Sequence, residues 1–170
     1  MKIESRDTIL SVDVLAKYGQ VPRKHKNYEI DWLHPDDIAQ IIDLETAWFP
    51  EPLTISKLNH LINQANTCYV VVRDGSQIIG YIGFQLFLAA AHTISMGVDA
   101  GYRRENLATV IQKTADAIAK ERGARWFTGE VRISNEPQLK FLRGLGWHEV
   151  GICKNFFKNK EDAIVVWNWL

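Results

Sequence analysis
The sequence predicts a single mixed α/β domain, and three observations carry that expectation. Its 170 residues suit one domain able to bury roughly 70% of the surface its unfolded chain exposes. Runs with a period of two alternate with runs of helical period in the order β-α-α-β-β-β-α-β-α-β-β, which gives about six to seven strands and about four helices. Some strand patterns succeed one another across short turns and others across helices, so one twisted sheet must combine antiparallel hairpins with parallel crossovers.

Residues 1–27 stand apart from this pattern. An amphipathic stretch broken by Ser11, Asp13 and Lys17 leads to Gly19, Pro22 and the basic cluster Arg23, Lys24, His25, Lys26. They read as an N-terminal extension, with the domain proper spanning 28–170. The cluster is a solvated arm, or a patch that steers an anionic partner.

The domain opens on "YEIDWL", which alternates like a strand. Pro35, Asp36 and Asp37 then supply a helix-opening turn, and Ile38, Ile41, Ile42 and Trp48 recur at helical spacing until "FPEP" stops them. Thr54 can cap a second helix with Ile55, Leu58, Leu61 and Ile62 on one stripe. "CYVVVRD" and "QIIGYIGFQLFL" are apolar strands joined through Asp74 and Gly75, a hairpin signal. "HTISMGVDA" is the next strand. A helix over about Glu105 to Arg122 carries Leu107, Val110, Ile111, Thr114 and Ile118 on one side, with Gly123 as its stop. "RWFTGEVRI" is a strand; Ser134 or Asn135 can cap the following helix, Pro137 sits in its first turn and Gly146 ends it. "WHEVGICKNFF" and "DAIVVWNWL" close the chain.

Composition excludes several functions. Lysine plus arginine equals aspartate plus glutamate at 20 each, so no global field draws the chain to nucleic acid, and any anion site is local. Cys68 and Cys153 both lie in apolar runs that suit a buried, reduced thiol. No segment reaches the ~20 apolar residues of a membrane span, and no apolar leader segment opens the chain. Cytoplasmic residence and no membrane contact are expected. The five histidines show no metal spacing with either cysteine, so no metal is expected. Cys153 has no motif-defined base to make it a nucleophile. Trp167 and Trp169 belong to the core or to a dimer edge.

The stretch "VDAGYRRENLATVIQK" raises the central chemical question. A helix N-terminus presents unpaired N–H groups and roughly half a positive charge, both favourable to phosphate oxygens. Arg103 and Arg104 add formal charge there. Such a loop needs a residue at positive φ, which glycine supplies most readily and asparagine next, and Asn106 stands at that place. Ala108 lacks the bulk to block a ligand. Alone, the stretch fits a pyrophosphate cradle and an exposed charged turn equally.

Its context is a strand ending in "GVDAGYRRENLA", a helix, a strand ending in "EVRISN", a helix ending in "LGW", and a tail with "KNFFKNKEDAIVV". Over about Tyr28 to Val166 this arrangement resembles the GNAT superfamily of acetyl-CoA-dependent N-acetyltransferases, whose phosphate loop reads [QR]xxGx[GA]. Arg103, Asn106 and Ala108 match it except at the central glycine. "EVRISN", "LGW", the "EDA" tail and "AWFPEPLTISKL" are similar to the ribosomal-protein alanine N-acetyltransferase type. The resemblance implies a three-layer αβα GNAT fold.

The resemblance also implies direct attack of a primary amine on acetyl-CoA in a ternary complex, with the acceptor plausibly a protein N-terminus. Pantetheine would pair with the backbone of Met96, Gly97 and Val98, and the Val98 N–H would polarise the thioester carbonyl. Arg103, Arg104, Glu105, Asn106, Leu107, Ala108 and Thr109 would hold the pyrophosphate, and Asn135 would contact the pantetheine arm. Glu130 falls at the general-base position. Strand alternation places it with Trp126, Thr128 and Arg132, opposite Phe127, Val131 and Ile133; its plainer role is an acid paired with Arg132.

An α-amine titrating near 7.8 is about one-seventh neutral at pH 7, whereas a lysine amine near 10.4 is neutral only a few times in ten thousand. A carboxylate base is adequate for the first. Two departures from the family pattern bear on mechanism: Leu142 stands where the family tyrosine protonates the leaving thiolate, and Phe156 and Phe157 replace paired tyrosines. His148 is a substitute acid or a surface histidine. A small-molecule or lysine acetyltransferase, and an acyl-CoA-binding module without turnover, are the alternatives.

Overall fold
The computed structural model describes residues 24–170. The amphipathic stretch and Arg23 of the expected extension lie outside the described residues. An eight-stranded sheet orders its strands β1-β2-β3-β4-β5-β6-β8-β7. The strands are β1 Lys24–His25, β2 Tyr28–Trp32, β3 Thr67–Asp74, β4 Gln77–Phe87, β5 Ala90–Val98, β6 Trp126–Arg132, β7 His148–Cys153 and β8 Ala163–Trp169. The α-helices are α1 Ile38–Trp48, α2 Ile55–Ile62, α3 Leu107–Glu121 and α4 Glu136–Gly144, with 3-10 turns at Pro35–Asp37 and Ala100–Glu105.

Seven of the strands are those expected; the eighth corrects the count of six to seven. Lys24 and His25 pair with Glu29 and Tyr28 across a two-residue turn, in which Lys26 takes φ 54°. A two-residue strand inside a basic cluster has no alternation to reveal it. The third helix also starts later than expected, because Glu105 ends a 3-10 turn and Asn106 breaks into the left-handed region before Leu107.

Local signals act as chemistry dictates. Thr54 Oγ1 accepts from Lys57 N at 3.2 Å, and Asn135 Oδ1 caps α4 by accepting from Gln138 N at 3.3 Å. Gly123 at φ 90° and Gly146 at φ 87° end their helices in paired reverse bonds. Gly123 N reaches Lys120 O while Ala124 N reaches Ala119 O, and Gly146 N reaches Arg143 O while Trp147 N reaches Leu142 O, satisfying carbonyls that α3 and α4 leave open.

The sheet separates two apolar layers. Along β3, Cys68, Val70 and Val72 face a core shared with Leu107, Ile111, Ile118, Leu139 and Leu142. Tyr69 and Val71 face Leu33, Ile41, Leu58 and Tyr81 on the side of α1 and α2. Burial on both faces explains why β3 reads as a continuous apolar run. The helices thus form the outer layers of a three-layer αβα fold. Cys68 is buried, which raises its thiol to about 11, whereas Cys153, expected to be buried, is exposed at the end of edge strand β7.

One feature of the pairing positions the site. Strands β5 and β6 run parallel but share only three residue pairs: Ala90 with Trp126, Ala91 with Phe127 and His92 with Thr128. Beyond that vertex they diverge. Phe84, Phe127 and Trp147 fill the base of the fork, with ring centroids 5.4 and 5.7 Å apart.

Candidate active site
The fork opens into a cavity of about 630 Å³ walled by Thr93 to Met96 of β5 and Gly129 to Arg132 of β6. Trp48, Glu51 and Leu53 close it from the α1–α2 side, while Asn135, Gln138, Leu142 and Trp147 close it from the α4 side.

The β5 wall offers backbone. Ile94 is an extra residue in the β4–β5 pairing, since Gly83 pairs with Ser95 and Phe84 with Thr93; such a bulge re-aims the strand after it. Asp99 N donates to Ile79 O at 2.8 Å on the β4 side. Alternation along an extended strand then turns the N–H groups of Val98 and Met96 toward the edge that β6 has vacated. Gly97 lies between them under the indole of Trp48. A Cβ on Gly97 would sit 2.4 Å from Trp48 Cε3, so only glycine admits this ring, which also stacks on Tyr81 at 5.9 Å and 9°.

The β6 wall offers side chains. Phe127, Gly129 and Val131 are buried and their neighbours less so, the alternation expected of this strand. Three carboxylates line the cavity, and two are each held by more than one hydrogen bond. Glu45, buried in α1, accepts from the Tyr81 hydroxyl at 2.6 Å, from the Ser95 hydroxyl, and from Leu53 N at 3.0 Å. Burial raises the Tyr81 phenol far above its ordinary value, so it remains a neutral donor. Glu51 accepts from Arg132 Nη2 at 2.7 Å and from Lys158 N at 3.0 Å.

Glu130 is the third. Its Oε2 lies 3.2 Å from His92 Nε2, and no bond from any described residue reaches its Oε1. Arg132, the partner considered from sequence, is instead held by Glu51 and by Glu161 at 2.8 Å and lies 3.8 Å over the Phe157 ring. Hydrogen bonds from Ser134 and Arg132 pull the Glu161 carboxyl down to about 2. This group of charges straps the α1–α2 loop to β6 and to the β7–β8 loop.

The phosphate-loop residues lie together at the far end of β5. Ala100, Gly101, Arg103, Arg104 and Glu105 line a surface depression. Asn106 takes φ 62°, the conformation its place in the motif requires. The first helical bond runs from Val110 N to Asn106 O at 3.2 Å, which leaves the N–H groups of Leu107, Ala108 and Thr109 for an anion. Arg103 and Arg104 are exposed, while the Leu107 side chain is fully buried and offers its backbone alone. Glu105 is bound to Lys26, and its carbonyl lies 2.9 Å from His25 Nε2.

Leu142 is buried, and it lines the cavity together with exposed Asn135 and half-buried Phe157; no tyrosine is among the described residues that line it. His148 lies on exposed β7, outside the lining. Sequence reasoning passed over His92, Glu45, Tyr81 and Ser95. Spaced across α1, β4 and β5, they share no local motif, and only the register of the sheet brings them together.

A forked sheet with free backbone on one arm, a carboxylate on the other and a helix N-terminus at the mouth defines an acyltransferase site of the acyl-CoA type. Residues 29–147 match the Acetyltransferase (GNAT) family, and the chain belongs to it. It is similar to a putative ribosomal protein bS18-alanine N-acetyltransferase of Bacillus subtilis, 28% identical over 134 residues that cover 78% of this chain and 89% of the relative. An N-alpha-acetyltransferase of Sulfurisphaera tokodaii is 25% identical over 157 residues, covering 85% and 94%.

Among solved structures, the ribosomal-protein-S18-alanine N-acetyltransferase of Escherichia coli superposes with a TM-score of 0.76 at 20% identity, covering 84% of this chain and 93% of that one. Arabidopsis thaliana NAA60 in complex with acetyl-CoA gives 0.78 at 13%, covering 84% and 98%. The protein is an acetyl-CoA-dependent N-acetyltransferase. Among the described residues, no helix is long and apolar enough to cross a membrane.

Proposed function
We propose that the protein transfers acetyl from acetyl-CoA to the α-amine of a polypeptide N-terminus, with Glu130 as general base. One observation carries this reading: of the three carboxylates lining the cavity, only Glu130 is reached by no backbone N–H, hydroxyl or guanidinium of the described residues, its one polar neighbour being the His92 imidazole. Pantetheine lies along Met96, Gly97 and Val98, where the Val98 N–H polarises the thioester carbonyl. Arg103 to Thr109 hold the pyrophosphate, and Asn135, whose Oδ1 caps α4, meets the pantetheine arm. The acceptor enters between the α1–α2 loop and the β7–β8 loop. Support for an α-amine comes from the named activities of the relatives and from basicity, because a carboxylate has too little driving force to deprotonate a lysine ammonium efficiently.

The test is CoA-thiol release from a panel of acceptors. Peptides with free N-termini should turn over, whereas the same peptides blocked at the N-terminus but carrying lysine, together with polyamines and aminoglycosides, should not. Release only from blocked peptides or small amines overturns the acceptor. Glu130→Gln should lower kcat by about 10² to 10⁴ with CoA affinity unchanged, and Arg104→Ala should weaken CoA binding. An unaffected kcat in the first variant removes the base assignment, and unchanged affinity in the second removes the loop assignment.

A further inference from the structure
We infer that His92 is the positioning residue for Glu130, with Thr128 as the partner of its other ring nitrogen; this rests on Glu130 being the general base. His92 pairs with Thr128 at the vertex where β5 and β6 part. Its Nδ1 lies 2.8 Å from Thr128 Oγ1, which lies 3.3 Å from Ala91 O, and its Nε2 lies 3.2 Å from Glu130 Oε2. His92 is not among the residues lining the cavity, so it reaches the reaction through Glu130.

The hydroxyl of Thr128 has one proton and two acceptors within reach. When it donates to Nδ1, the imidazole proton resides on Nε2 and is donated to Glu130. When the imidazole is doubly protonated, the hydroxyl turns to the Ala91 carbonyl and accepts from Nδ1, and Nε2 still donates to Glu130. The remaining tautomer would set an Nε2 lone pair against a carboxylate oxygen, which is repulsive. Both favourable states therefore present an N–H to Oε2.

The consequence for Glu130 is geometric: the contact at Oε2 fixes the plane of the group so that Oε1 serves the cavity. The other ionisable groups lining the cavity, Glu45 from α1, Glu51 from the α1–α2 loop and Arg132 from β6, are held by the partners described above. In the reaction the amine nitrogen bonds to the thioester carbonyl carbon and the C–S bond breaks. The proton shed by nitrogen passes to Oε1, directly or through water, and then to solvent, while the departing thiolate takes a proton to give CoA.

The experiment compares His92→Phe, His92→Gln, Thr128→Val and Glu130→Gln in kcat, acceptor KM and CoA affinity. His92→Phe should lower kcat by about 10- to 100-fold, the range for partners that orient a functional group. CoA affinity should be unchanged. His92→Gln retains an N–H donor and should restore most of the lost kcat. Thr128→Val leaves both partners in place and should give a smaller change of the same sign. A His92→Phe enzyme with the wild-type kcat overturns the inference, as does a His92→Gln enzyme no better than His92→Phe. Failure of the base assignment is separately visible as an unaffected kcat in Glu130→Gln, and it too removes the inference.

Discussion
The two halves of the sheet are joined to their surroundings by different physics. From β2 to β5 the strands pair antiparallel along most of their length, and apolar layers seal both faces. From β6 to β8 the sheet continues, but its link to β5 is three residue pairs and the aromatic base of the fork. Beyond the vertex the C-terminal half is tied across the cleft by ions: Arg132 between Glu51 and Glu161. A close-packed wall thus faces a wall held by charge. The first fixes backbone where the proposed thioester site lies, and the second presents polar side chains on the side proposed for the amine.

The largest expected effect on stability comes from breaking the packed wall. In Gly97→Ala the new methyl would lie 2.4 and 2.7 Å from Trp48 ring carbons, and neither the strand nor a ring stacked on Tyr81 can yield easily. Overpacking of this kind costs about 1 to 3 kcal/mol. The free energy of unfolding should fall by that amount, and CoA affinity should fall with it because Gly97 sits between the two free N–H groups. A variant as stable as the wild type would mean that Trp48 lifts freely, and the packed wall would lose its distinction.

How far this contrast was legible in the sequence depends on the range of the interactions behind it. Strand and helix patterns, the Thr54 and Asn135 caps and the Gly123 and Gly146 stops are set within a few residues, and they could be found. Glu130 and Asn106 could be singled out because a motif keeps them beside their neighbours, and the structure places Glu130 on the cavity wall and Asn106 at φ 62°. His92 carries no such local signal: its partners are Thr128 and Glu130, more than thirty residues away, and they meet it only through the parallel register of β5 and β6. Glu45 was hidden for the same reason, its partners lying on β4, β5 and the α1–α2 loop. The pairing of Glu130 with Arg132, natural at a spacing of two on one strand face, fails because the α1–α2 and β7–β8 loops supply Arg132 with better-placed acids.

A middle-sized effect should come from cutting the ionic strap. Arg132→Gln removes the charge that Glu51 and Glu161 share across the cleft and leaves two acids near each other. The acceptor KM should rise several-fold while CoA affinity holds, because the strap ties the acceptor loops and not β5. Added salt should weaken the wild type toward the variant, since partly exposed pairs are screened. Equal losses for acceptor and CoA would show that the two walls are mechanically one.

The smallest expected effect is a pH dependence confined to the strap. Glu161 is drawn from 4.5 to about 2, first by the Ser134 hydroxyl and then by Arg132. A carboxylate depressed in the folded state contributes its full stability above its unfolded value, and that contribution is lost as pH falls through its folded value. The loss should therefore run from about 4.5 down to about 2. Glu51 is lowered as well, chiefly by Arg132, so the wild-type curve sums several acids and only its difference from Glu161→Gln isolates this one. The variant should be less stable near neutrality, and the two denaturation curves should converge as the pH drops through that window. Curves that stay parallel would assign the acid sensitivity elsewhere, and the C-terminal wall would then be held by the packing of Phe157 under Arg132 and not by charge.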